Sequence, residues 1–219
     1  MVYMKKQKIS DAVIHRLPRY YRYLDDLYNK GVVRISSHSL GDKMDITASQ
    51  IRQDLSCFGE FGQQGYGYNV TELHAQIGKI LGVHAGNKTI LIGVGNLGKA
   101  IAQHIDFEKR GCKLIGIFDS NHALCGKQIA GVTVDPIETL EAFCAANHPV
   151  MAVLCIPKTA AHDLAHQLVK LGIRAFWNFS HYDLRLEHEQ EQIIVENVHL
   201  GDSLMTLAYG LQHQGDAHE

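Results

Sequence analysis

Apolar and polar positions follow two different rhythms along the chain. In the front part, apolar residues recur at helical steps. Val13, Leu17, Tyr20, Tyr21, Leu24 and Leu27 fall three and four apart between Ser10 and Asn29. Pro18 interrupts that pattern, so the spacing predicts a short helix followed by a longer one, closed at Gly31. Ser36 is placed to cap a short helix carrying Leu40 and Met44, and Asp45-Ile46 reads as a turn. Thr47 then caps TASQIRQDLSCF, with Ile51, Leu55 and Phe58 on one face. Thr71 is expected to cap a last helix, TELHAQIGKILG.

From Thr89 onward, short continuous apolar runs alternate with helical periods. Strands are expected at 89–94, 113–118, 132–134, 150–156 and 174–179, with helices over 96–109, from Pro136 to Ala146 and over 159–171. Continuous apolar strands separated by helices predict a parallel sheet covered on both faces. EQIIVENV reads as a last strand. The tail 197–213 is amphipathic, with Leu200, Leu204, Leu207, Ala208 and Leu211 on one stripe that must bury itself on its own sheet or on a second subunit.

The expected architecture is therefore α/β in three parts. Residues 1–81 form a winged helix-turn-helix domain, 82–196 a Rossmann-like domain entered through the short linker VHAGNKT (82–88), and 197–219 a dimerisation helix and tail.

Composition adds little to this picture and charge somewhat more. The 219 residues are 46% hydrophobic and 20% charged, ordinary for a globular protein. The charged start MVYMKKQKIS lacks the apolar segment of a signal peptide, and no apolar run nears the roughly 18 residues of a membrane span. Five cysteines without a CxxC pair fit reduced thiols in a cytoplasmic protein, with no metal site. The net charge of −2 divides into +3 over residues 1–81 and −5 over the rest, which suggests different partners for the two halves.

The candidate chemistry sits on two stretches. TILIGVGNLGK places Gly93, Gly95 and Gly98 as GxGxxG between a strand and a helix. That arrangement gives a tight turn, room for a pyrophosphate and a helix N-terminus to face it, with Asn96 and Leu97 supplying first-turn amides. Asp119 follows Gly98 by 21 positions at the end of KLIGIFD, where a carboxylate meets a ribose 2′-hydroxyl and disfavours a 2′-phosphate. Pro157, Asn178 and Phe179 lie at later strand ends facing the same crevice. Asn178 either contacts a nicotinamide carboxamide or caps its strand. The second stretch is the helix after Thr47. Ser49, Gln50, Arg52, Gln53 and Ser56 point outward from it and carry the donors and acceptors that read base edges and phosphates. GEFGQQGYGYNV, with Gly65, Gly67, Tyr66 and Tyr68, reads as a β-hairpin wing that lies along a phosphate backbone or enters a minor groove, the alternative being a flexible loop with its two tyrosines packed inward.

No nucleophile–base constellation and no Tyr-x-x-x-Lys pair accompanies the glycine turn. An NAD-dependent oxidoreductase and a CoA- or nucleotide-binding regulatory module remain the alternatives to a DNA-binding sensor.

Taken in order, RLPRYYRYL, TASQIRQDLSCFG, GQQGYGYNV, LIGVGNLGKA, GIFD, CIPKTAA, LGIRAFWNF and IIVENVHLGDSL resemble the Rex family of redox-sensing transcriptional repressors over essentially the whole chain. The resemblance implies a homodimer on palindromic operator DNA, winged-helix and Rossmann domains, a swapped C-terminal helix, and release by NADH relative to NAD+. It implies Arg52 as the leading base contact, Gly93, Gly95, Gly98 and Asp119 at the pyrophosphate and adenine ribose, and Pro157 with Asn178-Phe179 beside the nicotinamide. The chain departs from the family pattern at Cys155-Ile156, Ser180-His181 and Gln53. It also carries His199 where an aspartate usually pairs with the arginine that Arg22 matches, so the switch is assigned to Arg22, His199 and the nearby Asp202.

Overall fold

A computed structural model describes residues 9–59, 61, 66–187 and 192–213. It divides into two compact units, Met1–His84 and Ala85–Glu219. The division falls beyond 81 because Val83 is buried and its amide donates to Gly78 O at 3.1 Å, so the segment read as a linker begins as part of the front unit.

In the front unit, α1 spans Asp11–Asn29 as one helix, not two. Pro18 lies on its exposed side, and only one backbone bond is lost there. Leu17, Tyr20 and Leu24 are fully buried on the other side, and this continuous apolar stripe holds the helix together through the proline. β1 (Arg34–Ile35) leads to α2 (Ser37–Met44) and α3 (Ala48–Ser56). Ser36 Oγ accepts from Ser39 N and Thr47 Oγ1 from Gln50 N, each capping its helix, and Asp45 turns the chain between them in the left-handed region. β2 (Tyr68–Asn69) pairs antiparallel with β1 rather than with a neighbouring hairpin arm. The wing tip, including Gly65, lies outside the described residues. α4 (Val70–Leu81) is capped by Asn69, whose side chain accepts from Glu72 N. Thr71 is not the cap because buried Val70 already starts the helix.

The second unit runs β3 (Asn87–Ile92), α5 (Asn96–His104), β4 (Cys112–Asp119), β5 (Gln128–Ile129), β6 (Val132–Pro136), α6 (Leu140–Asn147), β7 (Met151–Leu154), α7 (Lys158–Lys170), β8 (Ala175–Asn178), α8 (Leu184–Glu187), β9 (Ile194–Asn197) and α9 (Leu200–Gln212). The sheet order is β5-β6-β4-β3-β7-β8-β9. All neighbours are parallel except β5, which pairs antiparallel with β6 across a tight turn and corrects the all-parallel expectation. Two residues at the sheet edge carry too little periodicity to be read from sequence.

Successive strand residues face opposite cores. Ile90, Ile92, Ala152 and Leu154 pack with α6 and α7, whereas Leu91 and Val153 pack with Ile101 and Ala102 of α5. The strand order diverges from the centre, between β3 and β7, and the crevice beyond their C-terminal ends is where such sheets bind ligands.

Candidate functional site

At that crevice Gly93 has φ +91°, and a Cβ there would stand 2.6 Å from Cys155 O. A Cβ on Gly98 would lie within overlap distance of Gly93 O, so α5 packs on the turn only because position 98 has no side chain. Around Gly95 nothing lies within 4 Å of the added carbon, and α5 has no side-chain cap. The turn thus offers open space in front of free first-turn amides, and Asn96 and Leu97 are exposed there. Asp119 closes one side. Its Oδ2 accepts from Val94 N at 2.6 Å and its Oδ1 from Asn121 N at 2.7 Å. A cleft of about 460 Å³ is lined by Gly93, Gly95, Asp119, Ile137, Ile156, Pro157, Ala160 and Leu164, with Ser120, Asp163 and Gln167 as its further polar lining. Cys155 lines it too, and burial pushes its thiol up to about 12, so it is an inert neutral wall.

Neither Asn178 nor Phe179 lines this cleft. Asn178 is fully buried. Its amide donates to Tyr182 O and Asn197 Oδ1, and its Oδ1 accepts from the amide and hydroxyl of Ser180. All four side-chain positions are used inside the fold, so Asn178 braces the ends of β8 and β9 and has none left for a carboxamide. Phe179 packs on Trp177, ring centroids 4.9 Å apart.

The front unit presents α3. Ser49, Arg52, Gln53 and Ser56 are exposed, as is Thr47, whose hydroxyl is occupied in capping. Arg52 Nη1 donates to Ser37 Oγ at 2.9 Å. Gln50 turns inward, and its amide donates to Asp54 Oδ1 at 2.6 Å. Tyr66 stands exposed, with the Arg34 guanidinium 5.9 Å from its ring centre and donating to its carbonyl. Arg34, Ser37, Arg16 and Asp54 escaped sequence reasoning. Each acts through a partner far along the chain, and only the polarity of Asp54 next to buried Leu55 hinted at it.

Among the proposed switch residues, Arg22 is exposed on α1 and Asp202 on the first turn of α9. His199 precedes α9 and meets His181, which lies two residues beyond Phe179. The rings stack at 4.9 Å with Nδ1 atoms 2.8 Å apart. His181 adopts the left-handed region at φ +57°. Along α9, Leu200, Leu204, Leu207 and Leu211 are each more than 60% exposed, so the apolar stripe finds no cover within the described chain.

An open glycine turn with a carboxylate beside it, carried on the same chain as a capped helix-turn-helix, defines a nucleotide-responsive DNA-binding protein. Residues 8–56 match the family model "Putative DNA-binding protein N-terminus", and residues 84–182 match "CoA binding domain". The chain belongs to the Rex family of redox-sensing transcriptional repressors. It is 54% identical to the Rex repressor of Thermoanaerobacter pseudethanolicus over 96% of this chain and 92% of that one. It is 49% identical to the Rex repressor of Clostridium perfringens over 95% and 97%. A Rex-family repressor called RSP, solved with β-NAD+ and operator DNA, superposes with a TM-score of 0.87 at 52% identity, covering 95% of each chain. The same repressor with β-NADH gives 0.85 at 50% identity, covering 94% and 96%.

Proposed function

We propose that this protein is a homodimeric repressor that binds palindromic operator DNA in the cytoplasm and releases it when NADH occupies the cleft above β3 and β7. The observation that carries the reading is the open turn at Gly95 with Asp119 across it, on a chain whose α3 presents Arg52 outward. The residues present suit a dinucleotide. Gly93 and Gly98 let the backbone close up, Gly95 leaves room for phosphate, the amides of Asn96, Leu97 and Gly98 face it, and Asp119 meets the adenine ribose.

NADH differs from NAD+ by a hydride and by the loss of the ring's positive charge. Ile156 and Pro157 give the cleft apolar wall, Ile156 beside the Gly93 turn, and apolar surroundings disfavour an unpaired cation. Each 1.4 kcal/mol of preference is about tenfold in affinity. A preference becomes a switch only if it also separates two dimer shapes, and near-complete switching needs about 5.5 kcal/mol. The contact of His181 with His199 joins the loop after Phe179 to the start of α9, so we place the relay there and keep Arg22 and Asp202 as the charged residues of the switch. The dimer itself follows from the uncovered stripe of α9 and from the two half-sites a palindrome requires.

The role is regulatory rather than catalytic, in keeping with relatives that are named as repressors. Titrating an operator complex with NADH and with NAD+ tests the reading. Release by NADH at concentrations where NAD+ leaves the complex intact is expected. Equal release by both, or by neither, sinks it, and turnover in a hydride-transfer assay would revive the oxidoreductase alternative.

A further inference from the structure

Among the described residues, Asp54 is the only acidic or basic side chain that is buried, and it lies on the inner side of α3. Arg16 of α1 grips it with two bonds, Nε to Oδ2 at 2.6 Å and Nη2 to Oδ1 at 2.8 Å. The Tyr20 hydroxyl donates to Oδ2 at 2.8 Å, and Gln50, one turn back on α3, donates to Oδ1 at 2.6 Å. Three side chains therefore satisfy one carboxylate.

Such a cluster is a weak source of stability, because apolar residues of similar volume serve as well. What it adds is direction. A planar guanidinium fork on a carboxylate constrains angle as well as distance. An apolar contact tolerates a small roll of one helix on another, whereas this fork does not. Rolling α3 about its axis would swing Arg52 and Gln53, two residues and one residue before Asp54 on the exposed side.

We propose that Asp54, held by Arg16 and Tyr20, is a positioning residue for operator reading. It sets the roll of α3 and thereby the aim of Arg52. Gln50 belongs to this inner clamp and is not a reader of a base edge. The proposal rests on the operator binding argued above and assigns the sequence-reading set to Ser49, Arg52, Gln53 and Ser56.

The test uses the full-length protein and measures binding to the operator, to single-base-pair operator variants and to unrelated duplex, alongside NADH affinity. Asp54→Asn keeps the shape and removes the charge. It is expected to lower operator affinity about tenfold or more while affinity for unrelated duplex and for NADH stays at the wild-type level, so the specificity ratio collapses. A merely structural defect lowers the active fraction and leaves that ratio unchanged, which would overturn the proposal. Gln50→Met is the milder variant and decides the matter if Asp54→Asn does not fold. It should relax the same base-pair preference that Arg52→Ala relaxes and leave the others as they are. Unchanged preference throughout, or a changed preference at a different base pair as loss of a base contact by Gln50 itself produces, would overturn its place in the clamp. Wild-type protein that fails to discriminate operator from unrelated duplex refutes the operator reading itself, a result separable from either variant's.

Discussion

Asp119 holds the backbone of the glycine turn as well as facing the cleft. Its Oδ2 takes the Val94 amide at 2.6 Å, 25 residues back along the chain, its Oδ1 takes the Asn121 amide, and the residue lines the cleft with Gly93 and Gly95. Asp119→Ala removes both the brace and the acceptor proposed for ribose hydroxyls. Charge-assisted hydrogen bonds contribute about 1.5–3 kcal/mol each, so NADH affinity should fall by at least roughly tenfold. Operator binding should persist, giving a repressor that stays on DNA. Calorimetric NADH binding checks this, and release at the wild-type NADH concentration would contradict the ribose assignment.

Arg52, the proposed leading base contact, donates from Nη1 to Ser37 Oγ at 2.9 Å. Arg52→Ala should cost about 1–3 kcal/mol of operator affinity and relax preference at one base pair, with NADH affinity unchanged. Ser37→Ala should give a smaller loss in the same direction. Fluorescence anisotropy over a panel of operator variants measures both.

The clamp on Asp54 predicts a pH signature. Burial pushes the Asp54 carboxyl up, but hydrogen bonds from Arg16, Gln50 and Tyr20, with the charge of Arg16, together hold it below the ordinary aspartate range. A carboxyl depressed in the fold stabilises fully above its unfolded value of about 3.9, and that contribution is lost as pH falls through the folded value. Near neutral pH, Asp54→Asn should cost up to about 3–5 kcal/mol, the range for breaking a buried pair. The gap to wild type should hold above about 3.9 and shrink as pH falls below it. Urea unfolding across that range reads it, and a gap independent of pH would mean that the charge is not what the fold uses.

The exposed leucines of α9 should be an interface. Leu204→Asp with Leu207→Asp is expected to shift the protein from dimer to monomer in sedimentation and to abolish binding to the full palindrome. The cleft residues lie on other elements, so each monomer should keep its fold by circular dichroism. A stable dimer in this variant would place the interface elsewhere.

His181 and His199 share one short nitrogen–nitrogen contact, in which one ring donates and the other accepts. If this contact relays the nucleotide state, His181→Ala and His199→Ala should each shift the NADH concentration for operator release, and the double variant should shift it no further than the larger single one. Additive shifts would separate the two residues.

Several elements were legible because their signals are local. Ser36 and Thr47 cap the helices that their spacing indicates, and the alternation of apolar runs with helical periods gives the parallel strands in order. The helix after Ser10 misleads because a proline's local cost is offset by burial of Leu17, Tyr20 and Leu24, which sequence does not weigh. Asn178 misleads for a similar reason. Its position at a strand end is readable, but the Asn197 and Tyr182 groups that consume its hydrogen bonds arrive from other segments.

The sequence by itself determined a helical front part followed by alternating strands and helices, the glycine turn with its distant carboxylate, the outward face of α3 and the apolar stripe of α9. These depend on periodicity and on conformational preferences a few residues long. Tertiary structure alone decided that Gln50 and Asp54 turn inward, that Asn178 is spent on bracing the sheet, and that His199 finds His181. Each of those outcomes depends on whether a donor from elsewhere in the chain reaches a buried acceptor, and residue spacing carries no record of that.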